Sequence, residues 1–168
     1  MFDFLAKENN FILWRANAIM QHPNEKIMRK LIAFAVKNSG GRSGRTSCFI
    51  VKGNKIVGKA ISTVGLEGDP TAHGEINAIS KYCKSKKSPY LRGCWIYSTQ
   101  IPCPMCASAV AWAEAKGVVY GWDGRFTWGK LSVHPKEIFK NAKNKITLFG
   151  PFLEEECLKI KGYKRKSN

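Results

Sequence analysis

The sequence predicts an α/β fold in which helices cover a sheet, and three observations predict it. Short apolar or alternating runs of strand length recur between longer segments of helical periodicity. Breaks rich in Gly, Pro and Asn separate them. A length of 168 residues at 44% hydrophobic suits one compact domain with an ordinary core.

Each element has a local reason. Residues 1–20 carry Phe2, Leu5, Phe11, Ile12, Leu13 and Ile19 at loosely helical spacing, ended by Pro23. Asn24 then caps a stronger helix with Ile27, Met28, Leu31, Ile32, Ala35 and Val36 on one face, closing at Asn38-Ser39-Gly40-Gly41. The Gly- and Arg-rich stretch 40–46 reads as a loop. Strands follow over 47–52 and 55–62, joined by Gly53-Asn54. A loop through Gly65, Gly68, Asp69 and Pro70 leads to a helix at about 73–83. A strand is expected over 94–99, and Pro102 and Pro104 open an Ala-rich helix over about 103–115. A short apolar strand, 117–120, precedes a Gly- and aromatic-rich loop over 121–136. A helix near 135–143, a strand near 146–149 and a helix near 152–160 complete the chain.

Composition narrows the function classes. The net charge of +16 comes from 28 Lys and Arg against 12 Asp and Glu, which favours phosphate-bearing or polyanionic partners or makes a solvated basic surface. Much of the excess lies in runs: Lys84, Lys86 and Lys87, and the tail from Lys159 to Lys166. The six Cys have no spacing of a secreted disulfide framework, the first residues resemble no signal peptide, and no apolar run reaches membrane-spanning length. A reduced, cytoplasmic protein without membrane attachment is expected.

Chemistry concentrates in two short strings. Cys103 and Cys106, three apart at a helix start, share one face where the helix N-terminus favours thiolates. With His73 they offer one imidazole and two thiolates, a set that suits one Zn²⁺ and leaves its fourth position for water. Glu75 lies two residues after His73, so the pair must occupy the first turn of its helix to straddle one site. Two thiolates neutralise the metal's charge, so a carboxylate is needed to take the water's proton and pass it to a leaving amine.

His73-Gly74-Glu75 followed by Pro102-Cys103-Pro104-Met105-Cys106 matches the H-x-E…P-C-x-x-C signature of zinc nucleobase deaminases. The longer strings Asp69-Pro70-Thr71-Ala72-His73 and Pro102 to Ala107 resemble the zinc-dependent cytidine deaminase superfamily, in its bacterial branch of guanine deaminases and tRNA adenosine deaminases. The resemblance covers about residues 24–160. It implies a three-layer fold with a central five-stranded mixed sheet, and a homodimer. It implies zinc held by His73, Cys103 and Cys106, proton transfer by Glu75, and a nucleobase or nucleoside substrate, with RNA or tRNA as a further partner. The whole chain, 1–168, then reads as a single deaminase domain with an N-terminal helical extension over 1–22 and a basic tail over 159–168.

Departures from the family pattern bear on the substrate. Gly74 stands where Ala is usual, Ile101 where Glu is usual, and Ser62 falls at the strand Asn that commonly contacts substrate. Arg45-Thr46-Ser47-Cys48 replaces the usual pocket entry. Pro104 and Trp112-Ala113 resemble guanine deaminases, whereas the basic tail resembles tRNA deaminases. Ser62, Gly74 and Trp112 are accordingly the expected substrate contacts.

Other readings attach to the same residues. His73, Cys103 and Cys106 could form a closed structural site completed by Cys48, Cys83 or Cys94, in a basic nucleic-acid-binding module without catalysis. Cys83, Cys94 and Cys157 otherwise read as core thiols. Trp122, Phe126 and Trp128 could stack on a base or pack a core or dimer interface. Arg42 and Arg45 could grip phosphate or remain solvated. His22 and His134, each before a Pro, read as exposed loop residues.

Overall fold

A computed structural model of the chain describes residues 22–38, 46–124 and 133–160. The N-terminal extension, Arg42, Arg45, Phe126, Trp128 and the tail beyond Ile160 lie outside the described residues.

Helix α1 (Glu25–Asn38) starts at Asn24, whose Oδ1 accepts the Ile27 N–H at 3.1 Å. Strands β1 (Ser47–Lys52) and β2 (Lys55–Ile61) form a hairpin through Gly53, which adopts φ 57°. A one-turn helix α2 (Val64–Glu67) precedes α3 (Gly74–Lys86). Then follow β3 (Cys94–Gln100), α4 (Pro104–Trp112) and β4 (Gly117–Trp122). Helix α5 (Pro135–Lys140), strand β5 (Thr147–Phe149) and helix α6 (Glu154–Leu158) end the described chain.

The five strands form one mixed sheet in the order β2-β1-β3-β4-β5. β1 is antiparallel to β2 and β3, and β4 is parallel to β3 and β5. Successive side chains point to opposite faces. Cys48, Ile50, Cys94, Ile96 and Val118 therefore join Ala78, Tyr82, Ala107 and Val110 of α3 and α4 in one core. Phe49, Val51, Trp95, Tyr97 and Val119 join Ile27, Met28, Leu31 and Ala35 of α1 and Cys157 of α6 in the other. Both faces are covered, which explains why the central strands read as nearly unbroken apolar runs. The expected three-layer α/β architecture with a five-stranded mixed sheet is observed.

Several local expectations are corrected. Trp122 is the last residue of β4, only 2% exposed in the core beneath α1, and is not a loop aromatic free to stack on a base. The strand runs on because it keeps pairing with Gln100 of β3. α3 continues to Lys86 before Lys87 turns left-handed at φ 50°. α4 ends at Trp112 because Glu114 takes φ 56°. His22 is not a free loop residue: it stacks on Trp95 at 4.6 Å and its Nδ1 shares a 2.7 Å hydrogen bond with the Tyr97 hydroxyl. His134 caps α5, accepting the Lys136 N–H at 3.0 Å.

Candidate active site

Two helix starts meet at the end of the sheet where β3 finishes. His73 is the N-cap of α3 and Cys103 the N-cap of α4, both with extended backbones. Neither side chain makes the usual capping hydrogen bond, so both remain available as donors toward a metal. An Asx turn sets up the first cap: Asp69 Oδ1 accepts the Thr71 N–H and hydroxyl, both at 2.7 Å. Asn77 then ties α3 to the chain before it, donating to the Ile61 and Ala72 carbonyls and to Thr63 Oγ1. Pro104 at the first position of α4 supplies the fixed φ that lets Cys103 and Cys106 share one side of the first turn.

His73, Cys103 and Cys106 bring one ligand atom each to within 4.8 Å of one another. His73 Nδ1 lies 3.6 Å from each of the two sulfurs. A tetrahedral zinc with bonds of about 2.3 Å to sulfur and about 2.0–2.1 Å to nitrogen has nitrogen–sulfur edges of about 3.6 Å. The donor set and its spacing therefore fit one zinc ion. Cys48, Cys83 and Cys94 lie outside this group among the described residues, so the closed four-ligand arrangement is not what the fold builds. Cys48 and Cys94 are buried in the core, and Cys83 packs against it.

The thiols share a proton unequally. Cys103 is held down to about 4 by the hydrogen bond from Cys106 and by His73, against the opposing effect of burial. The same bond and burial push Cys106 up. His73 is raised by its hydrogen bond to Cys103. One thiolate thus forms readily, and a divalent cation would displace the remaining shared proton.

Glu75, second residue of α3, lies beside the group and not in it. Its side chain is 2% exposed. Oε1 accepts the Ser98 hydroxyl at 2.6 Å and Oε2 lies 3.5 Å from Cys106 Sγ. Burial raises the carboxyl above its ordinary range, and the Ser98 hydrogen bond works against that rise. A buried carboxylate aimed at a metal group is suited to taking up and returning a proton.

Gly74 and Ser62 both approach the Thr46 backbone. A Cβ on Gly74 would stand 2.7 Å from the Thr46 carbonyl oxygen and 3.4 Å from the Ser62 nitrogen, while the Ser62 N–H donates to that same carbonyl at 2.8 Å. The glycine is thus required by close backbone approach. Trp112 is not brought to the site. It lies at the far end of α4, about 9 Å along the axis from Cys106, and is 85% exposed beside Ala142 and Asn144. No motif marks Ser98 in the sequence, where its signal is that it alternates with Cys94 and Ile96 onto the α3 face of β3.

Residues 21–122 match the family model of the cytidine and deoxycytidylate deaminase zinc-binding region. The chain belongs to this family. It is 31% identical over 137 residues to the guanine deaminase of Bacillus subtilis strain 168, covering 75% of this chain and 83% of the relative. It is 30% identical over 151 residues to a tRNA-specific adenosine deaminase of Buchnera aphidicola subsp. Baizongia pistaciae, covering 86% and 91%. The X-ray structure of the Bacillus subtilis guanine deaminase superposes with a TM-score of 0.57 at 30% identity, over 74% of this chain and 78% of that one. A structure from studies of tRNA:A34 deaminases gives a TM-score of 0.68 at 21% identity, over 81% and 99%, a likeness of fold. The protein is a zinc-dependent hydrolytic deaminase of the cytidine deaminase superfamily, and the His-Cys-Cys group is compatible with its one zinc ion. No helix among the described residues is long and apolar enough to cross a membrane.

Proposed function

We propose that this deaminase acts on a purine base or nucleoside, guanine-type first, exchanging an exocyclic amino group for oxygen and releasing ammonia. The observation that carries the reading is the buried Glu75 carboxylate set against His73, Cys103 and Cys106. Likeness to guanine deaminase over most of both chains supports the purine choice. His73, Cys103 and Cys106 would hold the metal, and Gly74 and Ser62 would be the substrate contacts beside them. Bound zinc acidifies water and polarises it toward the ring carbon. Glu75 takes one proton from the attacking water and delivers it to the departing amino nitrogen, which leaves as ammonia, while the water's second proton ends on the adjacent ring nitrogen and its oxygen stays on the ring as the carbonyl. A cytoplasmic homodimer is the assembly this reading carries with it.

A second reading, tRNA adenosine deamination, is favoured by a particular surface. A groove of about 730 Å³ between α5 and β5 is lined by Lys136, Lys140, Lys143 and Lys145 with His134, in a chain of net charge +16. Such a surface suits a phosphate backbone. Ammonia release measured on guanine, adenine, cytosine, their nucleosides and tRNA tests both. Release from guanine or guanosine supports the first reading, and release from tRNA alone replaces it with the second. Binding of tRNA that weakens steeply with salt would show the basic surface at work without making tRNA the substrate.

A further inference from the structure

We infer that Ser98 is a positioning residue for the reaction: it pins one oxygen of Glu75 so that the other alone faces the histidine–cysteine group and carries the proton. The inference rests on the role proposed above for Glu75. Ser98 is fully buried on β3, on the face that packs against α3. Its single hydroxyl proton goes to Glu75 Oε1 at 2.6 Å, at the short end of the range for a hydroxyl donating to oxygen. Its own oxygen is steadied by the Gln100 N–H at 3.4 Å. Because β3 is paired on both sides, by β1 and β4, Ser98 cannot follow a moving helix.

The consequence is a division of labour between two chemically equal atoms. Oε1 accepts the short Ser98 hydroxyl bond, whereas Oε2 accepts the Cys106 thiol at 3.5 Å, a proton that a bound metal would displace, so a proton arriving at Glu75 then goes to Oε2. From Oε2 it can leave only on the side where it came in. The attacking water gives one proton to Oε2, which passes it to the departing nitrogen as ammonia forms, its other proton ends on the adjacent ring nitrogen of the carbonyl product, and Ser98 keeps its own throughout. Without Ser98 the carboxylate can rotate, and the oxygen carrying the proton is no longer always the one beside the reacting atoms.

The test uses full-length zinc-loaded protein and compares wild type, Ser98→Ala, Ser98→Thr, Glu75→Gln and the Ser98→Ala/Glu75→Gln double variant. Ser98→Ala is expected to lower kcat about tenfold to a hundredfold, the range for losing a hydrogen bond to a charged group, with KM within about twofold. Zinc content should be unchanged. Ser98→Thr, which keeps the hydroxyl, should recover most of the rate, and Ser98→Ala should add nothing to the loss in Glu75→Gln. An unchanged kcat in folded, zinc-loaded Ser98→Ala, or a full second loss in the double variant, overturns the inference. Urea unfolding of the same proteins needs no substrate. If wild type releases ammonia from no purine, the proposed reaction is what fails, and unfolding decides Ser98: midpoint shifts that do not add uphold the Ser98–Glu75 contact, and shifts that add overturn it.

Discussion

Replacing Gly74 by Ala adds a single methyl group and should nevertheless damage the protein. The new Cβ would stand 2.7 Å from the Thr46 carbonyl oxygen, where real Cβ atoms essentially never come within 3.0 Å. That carbonyl cannot simply retreat, because it accepts the Ser62 N–H at 2.8 Å and leads into β1. The start of α3 must move outward by a few tenths of an ångström. Overpacking of this kind costs about 1–3 kcal/mol, against a gain from better helix propensity of at most about 1 kcal/mol. The net loss should be about 1–2 kcal/mol, or a fall in melting temperature of about 2–8 °C for a domain of this size. Because the displaced turn carries His73 and Glu75, kcat should fall by about tenfold, given that misplacement by about 1 Å can cost a hundredfold. Thermal unfolding of zinc-loaded protein, with turnover on the purine identified, measures both. Gly65→Ala is the control, since nothing lies within 4 Å of its new Cβ. A Gly74→Ala protein that melts at or above wild type and turns over normally would refute the argument.

The remaining predictions concern the roles around that turn. Glu75→Gln keeps the shape of the side chain and removes the proton acceptor, so a folded, zinc-loaded protein slower by about 10²–10⁴ is expected from turnover, metal analysis and melting together. Loss of zinc in that variant would mean that Glu75 is a ligand. Cys103→Ser should instead lose zinc and melt earlier, because gathering the ligands and holding the metal are one free energy. Burial holds His22 below its ordinary 6.5, so below that pH the unfolded chain binds more protons than the folded one. Its contribution to stability is therefore present above about pH 6.5 and lost as pH falls toward the lower folded value. Between about pH 7 and pH 5 the wild type should lose more stability in urea titrations than His22→Gln does; parallel losses would show that His22 does not titrate in this window.

The amino-acid sequence alone determined the parts of this protein whose causes lie within a few residues. Pro104 after Cys103 places two sulfurs on the first turn of a helix, and His73 and Glu75 can share a site only at a helix start; both are properties of local backbone geometry. The alternation of strand-length and helical segments likewise announced a sheet covered by helices. Only the tertiary structure decided what those elements meet. Ser98 reaches Glu75 across 23 positions because β3 lies at the centre of the sheet under α3, and no spacing rule connects them. Gly74 needs its missing side chain because Thr46, on another element, comes within contact distance. Trp112 shares a helix with both sulfur donors yet points to solvent at the far end, and Trp122 enters the core because its strand goes on pairing with β3. The physical reason is the range of the forces involved. Dihedral preferences and caps act over one turn, whereas packing joins whichever surfaces the sheet order brings together.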